Sequence, residues 1–189
     1  MPPISFEKGR LPGVYLITAF FSEDERGYFQ KGFERRIFAQ SGAAMVLSET
    51  FETFSRHGVV RGLHFQHRAP QAKLVRVLQG RIFDVAVDIR KSSPTFGQWE
   101  GYELSYDNRL SLYIPPGFAH GFLVLSQKAL VGYQCAGDFL PEADTGIRWD
   151  DPELGIEWPL EQVEQVILSQ RDLELQSFRE YREGDAFIL

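Results

Sequence analysis

Apolar and polar residues alternate in short runs along most of the chain, and the runs are rich in Val, Ile, Phe and Tyr. Alternation at every second position marks a strand with one buried face. The clearest case is Lys73–Leu78, then Gln79-Gly80 as a turn, then Arg81–Ile89. The pair reads as a hairpin, and in its second arm Phe83, Val85, Val87 and Ile89 alternate with Asp84, Ala86 and Asp88. Further strands are expected at Gly13–Phe20, Ala43–Phe54, Val60–Gln66, Trp99–Leu104, Ser111–Ile114, His120–Leu125 and Leu130–Cys135. Short strands at regular spacing, punctuated by 17 glycines and 10 prolines, point to a sandwich or barrel rather than βαβ units. Helical signals are confined to Phe33–Ser41 and to the end of the chain. There Ser169, followed by Asp172, has the spacing of a capping box before a helix over Leu173–Arg182. With no repeat, linker or low-complexity stretch, the pattern predicts one all-β domain over residues 1–189 with small helical additions.

Composition narrows the class. A net charge of −6 argues against nucleic acid or a basic membrane surface as partner. The single cysteine, Cys135, excludes an internal disulfide framework and fits a reducing compartment. Met1–Leu11 has no apolar stretch of the secretory type, and no run approaches the ~18 apolar residues that span a bilayer. A cytoplasmic, soluble protein is expected.

The densest polar cluster is Arg61-Gly62-Leu63-His64-Phe65-Gln66-His67, with Gln71 and Lys73 close behind. A histidine serves as general base near neutral pH because its unperturbed pKa lies there. A lysine beside it can stabilise a developing enolate, and an arginine can hold phosphate. The competing reading is a polar strand edge with solvated charges. Strict alternation puts Arg61 and His64 on opposite faces, so they share a pocket only if the strand bulges, and Gly62 is where a bulge costs least. Pro115-Pro116-Gly117 forms a rigid turn ahead of His120, which stands either at a pocket mouth or as a hydrogen-bonded structural histidine. Tyr133 either points its hydroxyl into a barrel interior as an acid or closes a core hydrogen bond. Asp172 either orients a histidine or caps the last helix.

No metal is expected. The histidines are His57, His64, His67 and His120. His64 and His67 face opposite ways on a regular strand, and no His-x-His pair with a following carboxylate stands at ligand spacing.

Together these residues resemble the dTDP-4-dehydrorhamnose 3,5-epimerase family of cupin-like enzymes. The resemblance runs from Asp24-Glu25-Arg26-Gly27 to Leu168-Ser169-Gln170-Arg171-Asp172. Its strongest stretches are Gly58–Gln66 and Lys73–Val77, followed in the family's order by Phe83–Arg90, Pro115–Leu125 and Gly146–Pro152. The resemblance implies a cupin-like jelly roll, a homodimer, no cofactor, and a nucleotide-diphosphate-linked 4-keto sugar as substrate. It implies that His64 removes the proton next to the C4 ketone while Asp172 holds and polarises it. Lys73 then stabilises the enolate oxygen, and Tyr133 returns a proton to the opposite face. Arg61, and Arg171 where the family commonly has lysine, are implied to bind the diphosphate, with Gln66 and His120 also against the substrate. Arg26 and Phe29 match a motif that reaches the nucleotide from the partner subunit. Asp84 is implied either to stand behind Lys73 or to be a plain strand residue.

Several nucleotide-side positions depart from the family. Its Arg-Gly-x-Phe-x-Glu becomes Arg26-Gly27-Tyr28-Phe29-Gln30-Lys31, and its Gln-x-Asn-x-Ser-x-Ser becomes Glu49-Thr50-Phe51-Glu52-Thr53-Phe54-Ser55. Lys31, Glu49 and Phe51 thus replace a carboxylate, a glutamine and an asparagine. Guanine's two adjacent donors suit a carboxylate such as Glu49 better than thymine does, so a GDP- or CDP-linked sugar is expected. The alternative is a Lys31–Glu49 ion pair that preserves a dTDP pocket. Asp138 stands where a second tyrosine is usual, with Phe139 following, which leaves open whether C5 is inverted as well as C3. Related alternatives are a C3-only epimerase, a 3,4-ketoisomerase, or a carbohydrate-binding barrel without catalysis.

Overall fold

A computed structural model describes residues 4–184, so residues 1–3 and 185–189 of the expected domain lie outside the described residues. The strands are β1 (Ser5–Lys8), β2 (Tyr15–Thr18), β3 (Phe20–Asp24), β4 (Gly27–Lys31), β5 (Leu47–Arg56), β6 (Val60–Gln66) and β7 (Ala72–Gln79). They continue as β8 (Arg81–Asp88), β9 (Trp99–Ser105), β10 (Leu110–Ile114), β11 (Phe118–Val124), β12 (Lys128–Ala136) and β13 (Asp144–Gly146). Among the described residues, three short α-helices, α1 (Arg35–Ser41), α2 (Gln170–Leu173) and α3 (Phe178–Glu183), and 3-10 turns at Pro141–Ala143 and Leu160–Gln162 complete the set.

Two antiparallel sheets face each other. One runs β1-β2-β10-β7-β12-β5 and the other β13-β6-β11-β8-β9, with β3-β4 as a separate ribbon. This is the cupin-like jelly roll that the resemblance implies. Val75, Val77, Ile82, Ala86, Leu112, Phe122 and Val131 pack between the sheets. Val60, Leu63, Val85, Val87 and Ile89 form the other face of the second sheet, covered by Trp158, Phe178 and Tyr181 from the C-terminal segment. That sheet is therefore buried on both sides, which is why every residue of β11 is buried.

Strands β7 and β8 enter different sheets and pair with other strands, so the turn at Gln79-Gly80 does not close the expected hairpin. Burial of both faces also goes beyond the single buried face that alternation marks. On β8 the apolar row of Val85, Val87 and Ile89 packs on the C-terminal segment. The row with Ile82 and Ala86 lines the space between the sheets, and Asp84 belongs to it. Its carboxylate is fully buried.

The expected strand Gly13–Phe20 is two strands, β2 and β3, broken at Ala19. The single helix expected over Leu173–Arg182 is likewise two. Ser169 caps α2 by accepting from the Asp172 amide, but the reciprocal capping box sits later, between Ser177 and Glu180 at the start of α3.

The bulge in β6 is present where glycine allows it. His64 pairs with His120 and Arg61 with Phe122, so three steps on β6 match two on β11. Gly62 has a φ of 126°, and a Cβ there would lie 2.5 Å from Gly121 Cα and 2.8 Å from the His120 carbonyl oxygen. Arg61 and His64 consequently share the inner face, while Leu63 turns to the other core. Gly62→Ala is expected to destabilise the fold by more than about 2 kcal/mol, since backbone on both strands must move. Urea unfolding checks this; an unchanged midpoint would mean the bulge adapts.

Candidate active site

The inner faces of β5, β12 and β7 set out two rows of side chains. Glu49, Cys135 and Lys73 lie in register across the strands, and Phe51, Tyr133 and Val75 form the next row. Across the gap stand His64 and Gln66 from β6, and His120 and Asp84 from β11 and β8. A cavity of about 230 Å³ between them is lined by residues that include Glu49, Phe51, His64, Gln66, Lys73 and Arg171.

His64 Nε2 lies 2.5 Å from Asp172 Oδ1, across 108 residues of sequence. Asp172 is almost fully buried, whereas the His64 side chain is 27% exposed and borders the cavity. The second carboxylate oxygen accepts from Ser169 Oγ at 2.9 Å, so the residue that caps α2 also aims its acid. Burial works to raise the Asp172 carboxyl, but the His64 bond and charge, Ser169 and Arg171 outweigh it and hold it below its ordinary value. An ionised Asp172 takes the Nε2 proton as a hydrogen bond and leaves Nδ1 with a free lone pair. The dyad is built as an oriented base.

Lys73 is enclosed. Burial lowers its pKa, against the opposing influence of Cys135, Asp144, Glu49 and Asp84. Its neighbours have partners of their own: Asp144 pairs with Arg171 at 2.8 Å, Glu49 accepts from Gln71 Nε2 at 2.9 Å, and Asp84 binds His120 Nε2 at 2.9 and 3.0 Å. Burial pushes the Asp84 carboxyl up, opposed by His120 and Lys73.

Tyr133 is held from two sides. Its ring stacks on Phe51 at 4.5 Å and 13°, and meets His120 edge-on at 5.9 Å and 74°. Burial, with the charge of Asp84, raises its pKa well above that of a free phenol. The group stays protonated through the whole neutral range, as a proton donor must.

The remaining candidates are placed differently. His120 is buried against Asp84 rather than at a cavity mouth, and Asp84 makes its direct bonds to His120 rather than to Lys73. Arg61 faces inward but is tied to β5, with Nε 2.9 Å from Ser55 Oγ. Lys31 pairs with Glu34 at 3.1 Å and lines a recess on the outer face of the six-stranded sheet, so the alternative of a Lys31–Glu49 ion pair is not formed within the chain. Arg26 and Phe29 stand on the β3-β4 ribbon, and the Arg26 side chain is 85% exposed beside Asp24. Asp138 contributes only its backbone carbonyl, to Gln66, while its neighbour Phe139 lines the cavity. Sequence reasoning passed over Asp144, which no spacing signals, and the role of Ser169 beyond that of a cap. Among the described residues, no group of three or more His, Cys, Asp or Glu is placed to hold a metal ion. None of their helices is long and apolar enough to cross a membrane.

A sequence profile of the dTDP-4-dehydrorhamnose 3,5-epimerase family matches residues 8–180. A protein of that name from Methanothermobacter thermautotrophicus is 48% identical over 95% of this chain and 97% of its own. The crystal structure of dTDP-6-deoxy-D-glucose-3,5-epimerase from Legionella pneumophila, in complex with dTDP-4-keto-L-rhamnose, superposes with a TM-score of 0.92 at 38% identity over 99% of each chain. A 3'-monoepimerase from Streptomyces bikiniensis in complex with dTDP-quinovose superposes at 0.85 and 30% identity, over 100% of this chain and 93% of that one.

Proposed function

Because the chain belongs to the dTDP-4-dehydrorhamnose 3,5-epimerase family and is therefore an isomerase, we propose that it inverts C3 and C5 of a dTDP-linked 4-keto-6-deoxy sugar, with His64 as base and Tyr133 as acid. The observation that carries this reading is the His64–Asp172 dyad at a cavity shared with Lys73. A sugar C–H is far too weak an acid for histidine unless a neighbouring ketone takes up the charge. At C4 that charge develops on oxygen, where the buried ammonium of Lys73 meets it with little solvent screening. Tyr133 then delivers a proton to the face opposite His64, and the change of face inverts the carbon.

The cavity is smaller than the about 300–1,000 Å³ typical of a whole ligand site, which suits a sugar ring with its nucleotide outside. Arg171 takes the diphosphate by exchanging Asp144 for phosphate oxygens. Arg26 and Phe29, exposed on their ribbon, act on the nucleotide of a second copy in a homodimer. The preference for guanine or cytosine loses its support. Glu49 lies at the sugar cavity with Gln71, and the relatives named above act on or bind dTDP sugars.

Incubation in D2O with 4-keto-6-deoxy sugars linked to dTDP, GDP or CDP, read by NMR, tests the proposal. Deuterium is expected at C3 and C5 of the dTDP sugar. Uptake at C3 alone would replace the reading with a 3'-monoepimerase, and uptake only from GDP or CDP sugars would overturn the nucleotide assignment.

A further inference from the structure

Strand β5 brings two successive inward residues, Phe51 and Thr53, against the ring of Tyr133. Phe51 is the direct cross-strand partner of Tyr133 and fixes the plane of its ring by stacking. Thr53 Oγ1 is buried and closes no hydrogen bond of full geometry. The polar group that its hydroxyl bears on is the phenol of Tyr133. A buried hydroxyl left idle costs about 1–3 kcal/mol, so its presence beside a group that changes charge calls for a cause.

Resting on the reading of Tyr133 as the acid, we propose that Thr53 is a positioning residue whose hydroxyl donates to the phenol oxygen of Tyr133 as its proton leaves. In that step the Tyr133 O–H bond breaks and a C–H bond forms on the sugar. The electron pair of the new bond comes from the enolate, whose oxygen returns to a carbonyl, and the phenol oxygen keeps the O–H pair as tyrosinate. Burial and the charge of Asp84 both oppose that anion. Thr53 and Arg61 act the other way, and Arg61 is restrained by its bond to Ser55. A donor that is idle before the step and engaged after it favours the transition state over the ground state. Phe51 prevents the ring from swinging its oxygen away from Thr53.

The test compares Thr53→Val, Thr53→Ser and Tyr133→Phe in D2O. Deuterium in recovered substrate reports abstraction by His64 with return to the same face; inverted product reports delivery by Tyr133. Thr53→Val is expected to lower kcat for inversion by about 10- to 100-fold, with KM and uptake into recovered substrate within about twofold of wild type. Thr53→Ser should restore inversion. Inversion at the wild-type rate by Thr53→Val would overturn the proposal. So would a joint fall of uptake and inversion, which is what a structural role produces. Normal inversion by Tyr133→Phe would instead remove the assignment of Tyr133 itself.

Discussion

Replacing His64 with alanine is expected to lower kcat by about 10³- to 10⁴-fold while KM and dTDP binding change by no more than about threefold. Among the described residues, no other carboxylate at the cavity is positioned to take its place. Glu49 is engaged by Gln71, and Asp144, once Arg171 turns to the diphosphate, still faces the charge of Lys73. Asp172 is buried behind His64 and loses the partner that holds it ionised. The binding side is spared because Arg171 reaches the cavity from α2, independently of the imidazole. Deuterium exchange should vanish at both carbons together, since a single base serves both. A variant that retained exchange at one carbon would show that a second base acts there.

Lys73→Met is expected to separate activity from stability. Loss of the ammonium removes the charge facing the enolate, so kcat should fall by about 10²- to 10³-fold. The folded protein should nevertheless become more stable at neutral pH. The Lys73 pKa is lowered in the folded state, first by burial, so the unfolded chain holds that proton more tightly. A group of this sign costs stability below its folded pKa, and the cost fades as pH rises toward the ordinary lysine value of about 10.4. Methionine fills the volume without the charge, and Asp84, Asp144 and Glu49 keep partners in His120, Arg171 and Gln71. The melting temperature should rise by about 2–4 °C for each kcal/mol gained, and the gap to wild type should narrow at high pH. Calorimetry at pH 7 and pH 10 checks both parts. A lower melting temperature at pH 7 would mean that the surrounding carboxylates need Lys73.

Much of the fold was legible because burial follows local pattern. The turn between β7 and β8 falls at Gln79-Gly80 but joins two different sheets rather than closing the expected hairpin, while β6 has the expected bounds and its bulge falls at Gly62. The β3-β4 ribbon was not legible. It is mostly exposed on both faces, so no alternation records it. Which face of β8 meets the site was not legible for the opposite reason. With both sides buried, the row of Val85, Val87 and Ile89 serves the C-terminal core, and the polar row carries Asp84 to the site. Helix α2 is a single turn, too short for a periodic signal, and Asp172 divides its carboxylate between His64 and the Ser169 hydroxyl.

The site was legible in unequal parts. Arg61, His64 and Lys73 cluster in sequence, whereas Asp172 joins His64 from 108 positions away, and only the resemblance favoured that role over a helix cap. The links of Asp84 to His120 and of Glu49 to Gln71 had no sequence signal, because each depends on which sheet faces which. Phe51 and Thr53 stood out as departures from a motif, but their bearing on Tyr133 emerges only from the β5-β12 register.

The most direct test of His64 as the base that starts the reaction is deuterium uptake from D2O into a dTDP-linked 4-keto-6-deoxy sugar, with wild type and His64→Ala followed side by side by NMR. The account predicts uptake at C3 and C5 with wild type and none above background with the variant. Uptake by His64→Ala at a rate near that of wild type would contradict it.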